Sequence, residues 1–253
     1  MFARRQYLEQ KVERLMSFGA ISLADPGACP YASRTVVTPN KDGTMRMCVD
    51  YRDVNAQTEK DSLPLPRIDQ ALPILSRARF FASLDLLMGF HQVEVDPRDR
   101  AKTKFLTHRG LYVYSVMPFG LCNALAILQR LMVKVLGPLI GLVVLVYIDD
   151  VLIFAETPEQ LIEIFSAVFK LLVKAGLNCK ASKCFLLTQT INNLGRVVSK
   201  NGIKPDPAKL DKIRQWPKLA KGIRLASFLG LWNYYRDLIP AFAHISDALY
   251  KVS

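Results

Sequence analysis

PLIGLVVLVYIDDVLIFA, residues 138–155, is an apolar run whose only charged residues are the adjacent Asp149 and Asp150. An unpaired ionised carboxylate is very costly to bury, so such groups need a partner or a metal. The flanks, Leu142–Val146 and Val151–Phe154, are rich in Val, Leu and Ile and have strand length. They read as a β-hairpin with the acidic pair at its turn, which holds carboxylates at the rim of a sheet where divalent cations bind. Two simpler readings compete. Asp pairs are common in turns because Asp bonds its own backbone. The run also has the length of a membrane span. Two central Asp cost about 5–7 kcal/mol on insertion, and about a dozen aliphatic residues return a similar amount. Hydropathy therefore does not decide, whereas the β-branched content argues against a span.

The chain has 253 residues, enough for a large core, and a net charge of +12. That excess suggests a polyanionic partner. Arg196, Lys200, Lys204, Lys209, Lys212, Arg214, Lys218, Lys221 and Arg224 are opposed only by Asp206 and Asp211. The segment reads either as a solvated helix face or as a phosphate-contacting surface. The cysteines number five, an odd count without a CxxC pair, which fits reduced thiols in an intracellular protein. The three His are scattered, without zinc-like spacing. No secretory signal is visible at the start.

The pattern predicts helices over Arg4–Phe18, Ile68–Leu75, Asn123–Leu136, Pro158–Ala175, Ala208–Gln215 and Ile223–Leu238. Strands are expected at Arg34–Thr38 and Met45–Asp50 as a hairpin, at Phe80–Leu86, within Phe105–Met117 around Gly110, and at Ile191–Val198. Gly202–Pro207 reads as a linker. The elements alternate without a βαβ repeat, which favours an α+β fold. A third carboxylate, Asp85 in SLDL, ends an apolar strand 64 positions before Asp149. An antiparallel sheet brings the two together, and three carboxylates at one edge suit two Mg²⁺ ions, one at a 3′-hydroxyl and one at a triphosphate.

SLDL…GFHQ, YIDD, VMPFGL and CVDYRDVN occur together, with DSLPLPRID, SKC, LGRVVSKNGIKPDPAK and SFLGLWNYYRDLIP around them. Together the blocks resemble the reverse transcriptase of gypsy-type long-terminal-repeat retrotransposons, and the likeness covers nearly the whole chain. The resemblance implies a right-hand polymerase with fingers (1–60 and 93–123), palm (61–92 and 124–198) and thumb (199–253). Asp85, Asp149 and Asp150 match the catalytic aspartates, with the Leu86 carbonyl facing a metal; Mg²⁺, or Mn²⁺ in its place, is the implied cofactor. Phe90 matches the aromatic that excludes a 2′-hydroxyl. Arg46 matches the arginine that grips the incoming dNTP, and the resemblance gives Lys41 a helping role in binding it. Phe119 and Gly120 match the loop bordering nucleotide and template, with Gln129 and Arg130 on the helix behind. Lys183 matches a lysine that protonates the leaving pyrophosphate. Leu194 and Gly195 match the strand pair that positions the primer end. Lys204, Lys209, Lys212 and Arg214 track the duplex backbone.

The implied partners are a primed RNA or DNA template and dNTPs, without a membrane. Other Pol domains, such as RNase H or integrase, or a second subunit are implied as well. The chain stops at Ser253 without an RNase H, protease or integrase pattern, and its start looks shorter than the family's. This fits a fragment of a polyprotein or an isolated reading frame. The sequence departs from the family at Leu125–Leu128, where Pro-Ala-Thr-Phe is usual, and at Met45, Leu86–Met88 and Asn192-Asn193. Two alternatives stay open: a decayed copy that only binds nucleic acid, and an RNA-dependent RNA polymerase, against which Phe90 and the ordered blocks argue.

Overall fold

The computed structural model describes residues 2–25, 27, 29–40, 43–63, 74–75, 77–193, 195–200, 202–214 and 223–250. Lys41, Leu194 and most of the Ile68–Leu75 helix lie outside these residues, as does the side chain of Lys212.

The central sheet has the order β7-β8-β4-β9, with β4 Phe80–Asp85, β7 Val144–Tyr147, β8 Asp150–Ala155 and β9 Phe185–Thr188. The apolar continuity of β8 follows from its position. Alternate side chains of a strand point to opposite faces. Val151, Ile153 and Ala155 enter one core; Leu152 and Phe154 enter another on the reverse face. The first core is closed by two amphipathic helices, α3 Ala124–Leu136 and α4 Pro158–Lys174. Leu128, Met132 and Leu136 from α3 and Leu161, Val168 and Leu172 from α4 are fully buried there. Thr157 caps α4 by accepting from the Gln160 N–H, and Pro158 follows at the first helical position.

A second, five-stranded sheet has the order β1-β6-β5-β2-β3, with β1 Ile21–Leu23, β2 Ser33–Pro39, β3 Met45–Asp50, β5 Phe105–Thr107 and β6 Gly110–Tyr114. The β2–β3 pairing runs from Arg34↔Asp50 to Pro39↔Met45, as the hairpin reading expected. Helix α1, Phe2–Ser17, packs Leu8, Val12 and Leu15 against Phe105, Tyr112 and Tyr114. A short helix, α2 Arg52–Gln57, follows β3.

The C-terminal region corrects three expectations. Ile191–Val198 is not one strand but a hairpin, β10 Thr190–Asn193 and β11 Arg196–Ser199. Its period-two pattern is the same in one strand or two, and Gly195, at φ +72°, supplies the left-handed turn residue that reverses it. The expected linker contributes β12 Gly202–Pro205, the edge of a three-stranded sheet β10-β11-β12. Pro205 ends the strand, so its missing N–H costs no internal ladder bond. Helix α5, Pro207–Arg214, agrees with expectation. The long helix expected over Ile223–Leu238 stops earlier: α6 covers Ile223–Asn233, a 3₁₀ turn covers Arg236–Leu238, and α7 covers Phe242–Tyr250. Among the described residues no helix is long and apolar enough to cross a membrane.

Candidate active site

The register of the central sheet assembles the acidic edge. Strands β4 and β8 are antiparallel, and their last pair is Asp85↔Asp150. Strands β7 and β8 close on Tyr147↔Asp150, leaving Ile148 and Asp149 as a two-residue turn. The carbonyl of Asp149 accepts from the Leu86 N–H at 3.3 Å, tying the turn to the end of β4. The three carboxylates expected from sequence therefore meet at one end of one sheet.

The turn is strained and braced. Ile148 has φ +61°, an uncommon value for a β-branched residue. Its N–H donates to Oε1 of Gln129 at 2.8 Å, and Gln129 Nε2 donates to the Val146 carbonyl at 3.5 Å. Gln129 is only 2% exposed. The resemblance places it on the helix behind the nucleotide loop; there it lies beneath the hairpin, holding the turn that carries Asp149. Gly89 opens the 3₁₀ turn Gly89–Gln92 after β4. A Cβ there would stand 3.2 Å from Leu128 Cδ2 and 3.4 Å from Asp149 Cβ, so a glycine lets this turn lie against the acidic hairpin.

Lys183 comes to the same edge. The 3₁₀ turn Ala181–Lys183 is docked on β4 by the Lys180 N–H, which donates to the Asp85 carbonyl at 2.8 Å. Lys183 Nζ then donates to Asp85 Oδ2 at 2.8 Å. This bond holds the Lys183 ammonium above its usual range. The Asp150 carboxyl is raised, first by burial and then by repulsion from Asp149 and Asp85, with Lys183 opposing. Among the described residues, no three His, Cys, Asp or Glu side chains close into a ready metal cage. The donor set nevertheless fits hard divalent ions: Asp85, Asp149 and Asp150 offer only oxygen, and three carboxylates at one edge face a single ammonium, that of Lys183.

An aromatic wall stands nearby. Phe90 and Phe119 meet edge to face, with centroids 5.0 Å apart and planes at 84°. His91 packs at 5.4 Å from Phe119 and 5.9 Å from Tyr114. Phe119 is 55% exposed. Gly120 has φ +98°, and its carbonyl accepts from Asn55 Nδ2 at 2.8 Å while Asn55 Oδ1 accepts from the Cys122 N–H at 2.8 Å. Asn55 was not singled out from sequence, although it ends the CVDYRDVN block. Gln92, the last residue of GFHQ, was missed as well. Its amide donates to the carbonyls of Leu87 and Asn178 and accepts from the Asn178 N–H, joining the turn after Asp85 to the segment before Lys183.

Other expected residues are more distant in the fold. Arg46 is exposed on β3, with Nε donating to Thr38 Oγ1 at 3.2 Å. Arg130 pairs with Asp61 at 2.6 Å. The Gly195 carbonyl accepts from the Asp206 N–H at 3.1 Å and the Tyr235 hydroxyl at 3.2 Å. Lys204, Lys209 and Arg214 are exposed, and Arg214 lies 3.4 Å from Asp211. Arg196, counted among the surface cations, is instead 4% exposed and bonded to Asp237 and the Tyr234 carbonyl. A cavity of about 940 Å³, lined by residues of α2, by Val93–Asp96 and by the start of α3, includes none of the three aspartates. The acidic edge lies outside that cavity.

Residues 38–198 match the family model described as "Reverse transcriptase (RNA-dependent DNA polymerase)". The Pol polyproteins of transposons 297 and gypsy from Drosophila melanogaster are 38% and 36% identical over 247 residues. Those alignments cover 96% and 95% of this chain and 23% and 24% of the relatives, so the chain spans about a quarter of their length. A foamy viral protease-reverse transcriptase, solved in complex with double-stranded DNA, superposes with a TM-score of 0.87 at 26% identity, over 96% of this chain and 42% of that one. The match over most of the sequence, the shared polymerase fold and the acidic sheet edge agree, and the chain belongs to the reverse transcriptase family.

Proposed function

We infer that the chain is the polymerase core of a retrotransposon reverse transcriptase and extends a primer 3′-hydroxyl with dNTPs on an RNA template. The observation that carries this reading is the Asp85↔Asp150 register with Asp149 in the adjoining turn. On this reading the sheet of β1–β3, β5 and β6 is the fingers, the central sheet with α3 and α4 is the palm, and the segment from residue 199 is the thumb. Bound divalent ions, Mg²⁺ or Mn²⁺, would supply the charge neutralisation that activates the 3′-hydroxyl and holds the triphosphate. Asp85, Asp149 and Asp150, with the Leu86 carbonyl, are the oxygens that would hold them.

The remaining roles belong to the chain's own side chains. Lys183, which reaches the acidic edge at Asp85, would carry the proton at Nζ for the pyrophosphate oxygen that leaves. Phe90, braced edge to face by Phe119, forms a rigid wall against a 2′-hydroxyl. Arg46 offers a planar fork to the triphosphate from the fingers. Gln129 keeps the Asp149 turn in place. Lys204, Lys209 and Arg214 contact duplex phosphates without reading sequence. The altered Leu125–Leu128 segment still forms the first turn of α3, with Leu128 fully buried, which supports an intact core.

The test is dNTP incorporation on poly(rA)/oligo(dT) with Mg²⁺ or EDTA, beside Asp149→Asn. Metal-dependent extension by the parent, lost in the variant, is the expected result. Primer–template binding without extension by the parent would instead mark a decayed, binding-only copy.

A further inference from the structure

Asp85 already has a cation. Lys183 Nζ lies 2.8 Å from its Oδ2, across 98 residues of sequence. The backbone that delivers the lysine is fixed at several points: Lys180 N–H on the Asp85 carbonyl, Leu87 N–H on the Asn178 carbonyl, and the Gln92 amide between Leu87 and Asn178. The Lys183 side chain is 55% exposed, whereas that of Asp85 is 18% exposed. A fixed base with an exposed, four-carbon stem lets the ammonium leave Asp85 without moving the sheet.

An ammonium and a divalent cation cannot share that oxygen cheaply. They compete for the same lone pairs, and at contact distance they repel. Resting on the polymerase reading above, we propose that Lys183 is the resident counter-ion of Asp85 and competes with the divalent cation for it. A bound cation would displace the ammonium from Asp85. The pair thereby lowers the affinity of the nucleotide-free site for metal and keeps Lys183 from being free before metal is present. Because coupling between two ligands of one site is reciprocal, removing the ammonium must raise metal affinity.

The test is direct Mn²⁺ binding, read from the loss of the free-ion electron paramagnetic resonance signal, without nucleotide or nucleic acid. The parent is compared with Lys183→Met, Lys183→Arg and Asp149→Asn. Partly exposed ion pairs are weak, so Lys183→Met is expected to bind Mn²⁺ about fivefold more tightly than the parent. Lys183→Arg keeps the cation and is expected to bind no more tightly than the parent. If binding depends on Asp149 but Lys183→Met matches or falls below the parent, the counter-ion role is wrong and the metal site stands. If neither the parent nor Lys183→Met shows Asp149-dependent binding, the metal site fails, and this inference fails with it.

Discussion

The Ile148 backbone N–H donates to Oε1 of Gln129 at 2.8 Å, so a helix lying under the hairpin sets the turn that carries Asp149. Gln129→Leu removes the acceptor and leaves a half-buried N–H beside a residue already at positive φ. The expected cost is about 1–3 kcal/mol of stability, with a larger fractional loss of incorporation, because the turn loses its brace. Gln129→Glu keeps an acceptor for that N–H but loses the donor to Val146 and buries a carboxylate beside Asp149, so it should recover little of either. Urea midpoints and primer-extension rates on the three proteins check this. Equal rates in Gln129→Leu and the parent would remove Gln129 from any positioning role.

Phe90 and Phe119 hold each other edge to face. Phe90→Ala should admit ribonucleotides, seen as a fall in the dNTP-to-rNTP ratio of kcat/KM. Phe119→Leu removes the brace, worth about 0.5–1.5 kcal/mol in such pairs, and should relax selectivity less. Unchanged sugar selectivity in Phe90→Ala would take that residue out of the gate.

How much of this was legible differs residue by residue. Asp85, Asp149 and Asp150 were readable because each is an acid in a short apolar window, and local pattern carries that information. The strand character of β8 was readable for the same reason. The bracing was not. Gln129 gains its role only because α3 packs under β7, and the Lys183 partner lies 98 positions away. Arg196 misled, because a cation in a basic stretch looks solvated until Asp237 and two tyrosines are brought to it. The β10–β11 hairpin misled because one strand and two antiparallel strands share the same alternation, and the turn signs, Asn193 and Gly195, sit inside an otherwise continuous strand pattern.

His91 packs against Phe119 and Tyr114, and both burial and the charge of Lys11 push its imidazole below its usual range. As pH falls, the unfolded chain takes up this proton first. The contribution is therefore present above the ordinary histidine value of about 6.5 and is lost as pH drops below it. The parent should lose melting temperature between pH 7.5 and 5.5, and His91→Phe should lose less. Parallel melting curves for the two proteins would show that His91 is not the group responsible.

On the proposed reading, the exposed cations Lys204, Lys209 and Arg214 contact the duplex. Each phosphate contact contributes about 0.9 to the slope of log affinity against log salt. Replacing all three by Ala should weaken primer–template binding and flatten that slope by about two to three. An unmoved slope would place the duplex elsewhere.

Arg196 and Asp237 join the β10–β11 hairpin to the helices that follow it. The guanidinium is nearly buried, bonds Asp237 and the Tyr234 carbonyl, and lies 5.3 Å from the Tyr234 ring centroid. Tyr235 in turn donates to the Gly195 carbonyl at the hairpin turn. Asp237→Ala leaves a buried cation without its carboxylate, at a cost of about 3 kcal/mol, whereas Asp237→Asn keeps one acceptor and should cost less. The loss should be local. Hydrogen exchange should speed up at residues 195–200, 202–206 and 233–238, and primer–template should dissociate faster, because the turn proposed at the primer end is no longer tied to the helices that follow it. Mn²⁺ affinity at the aspartate edge should not change, since no bond of this latch reaches Asp85, Asp149 or Asp150. Unaltered exchange and dissociation in Asp237→Ala would show that the latch holds nothing the nucleic acid uses.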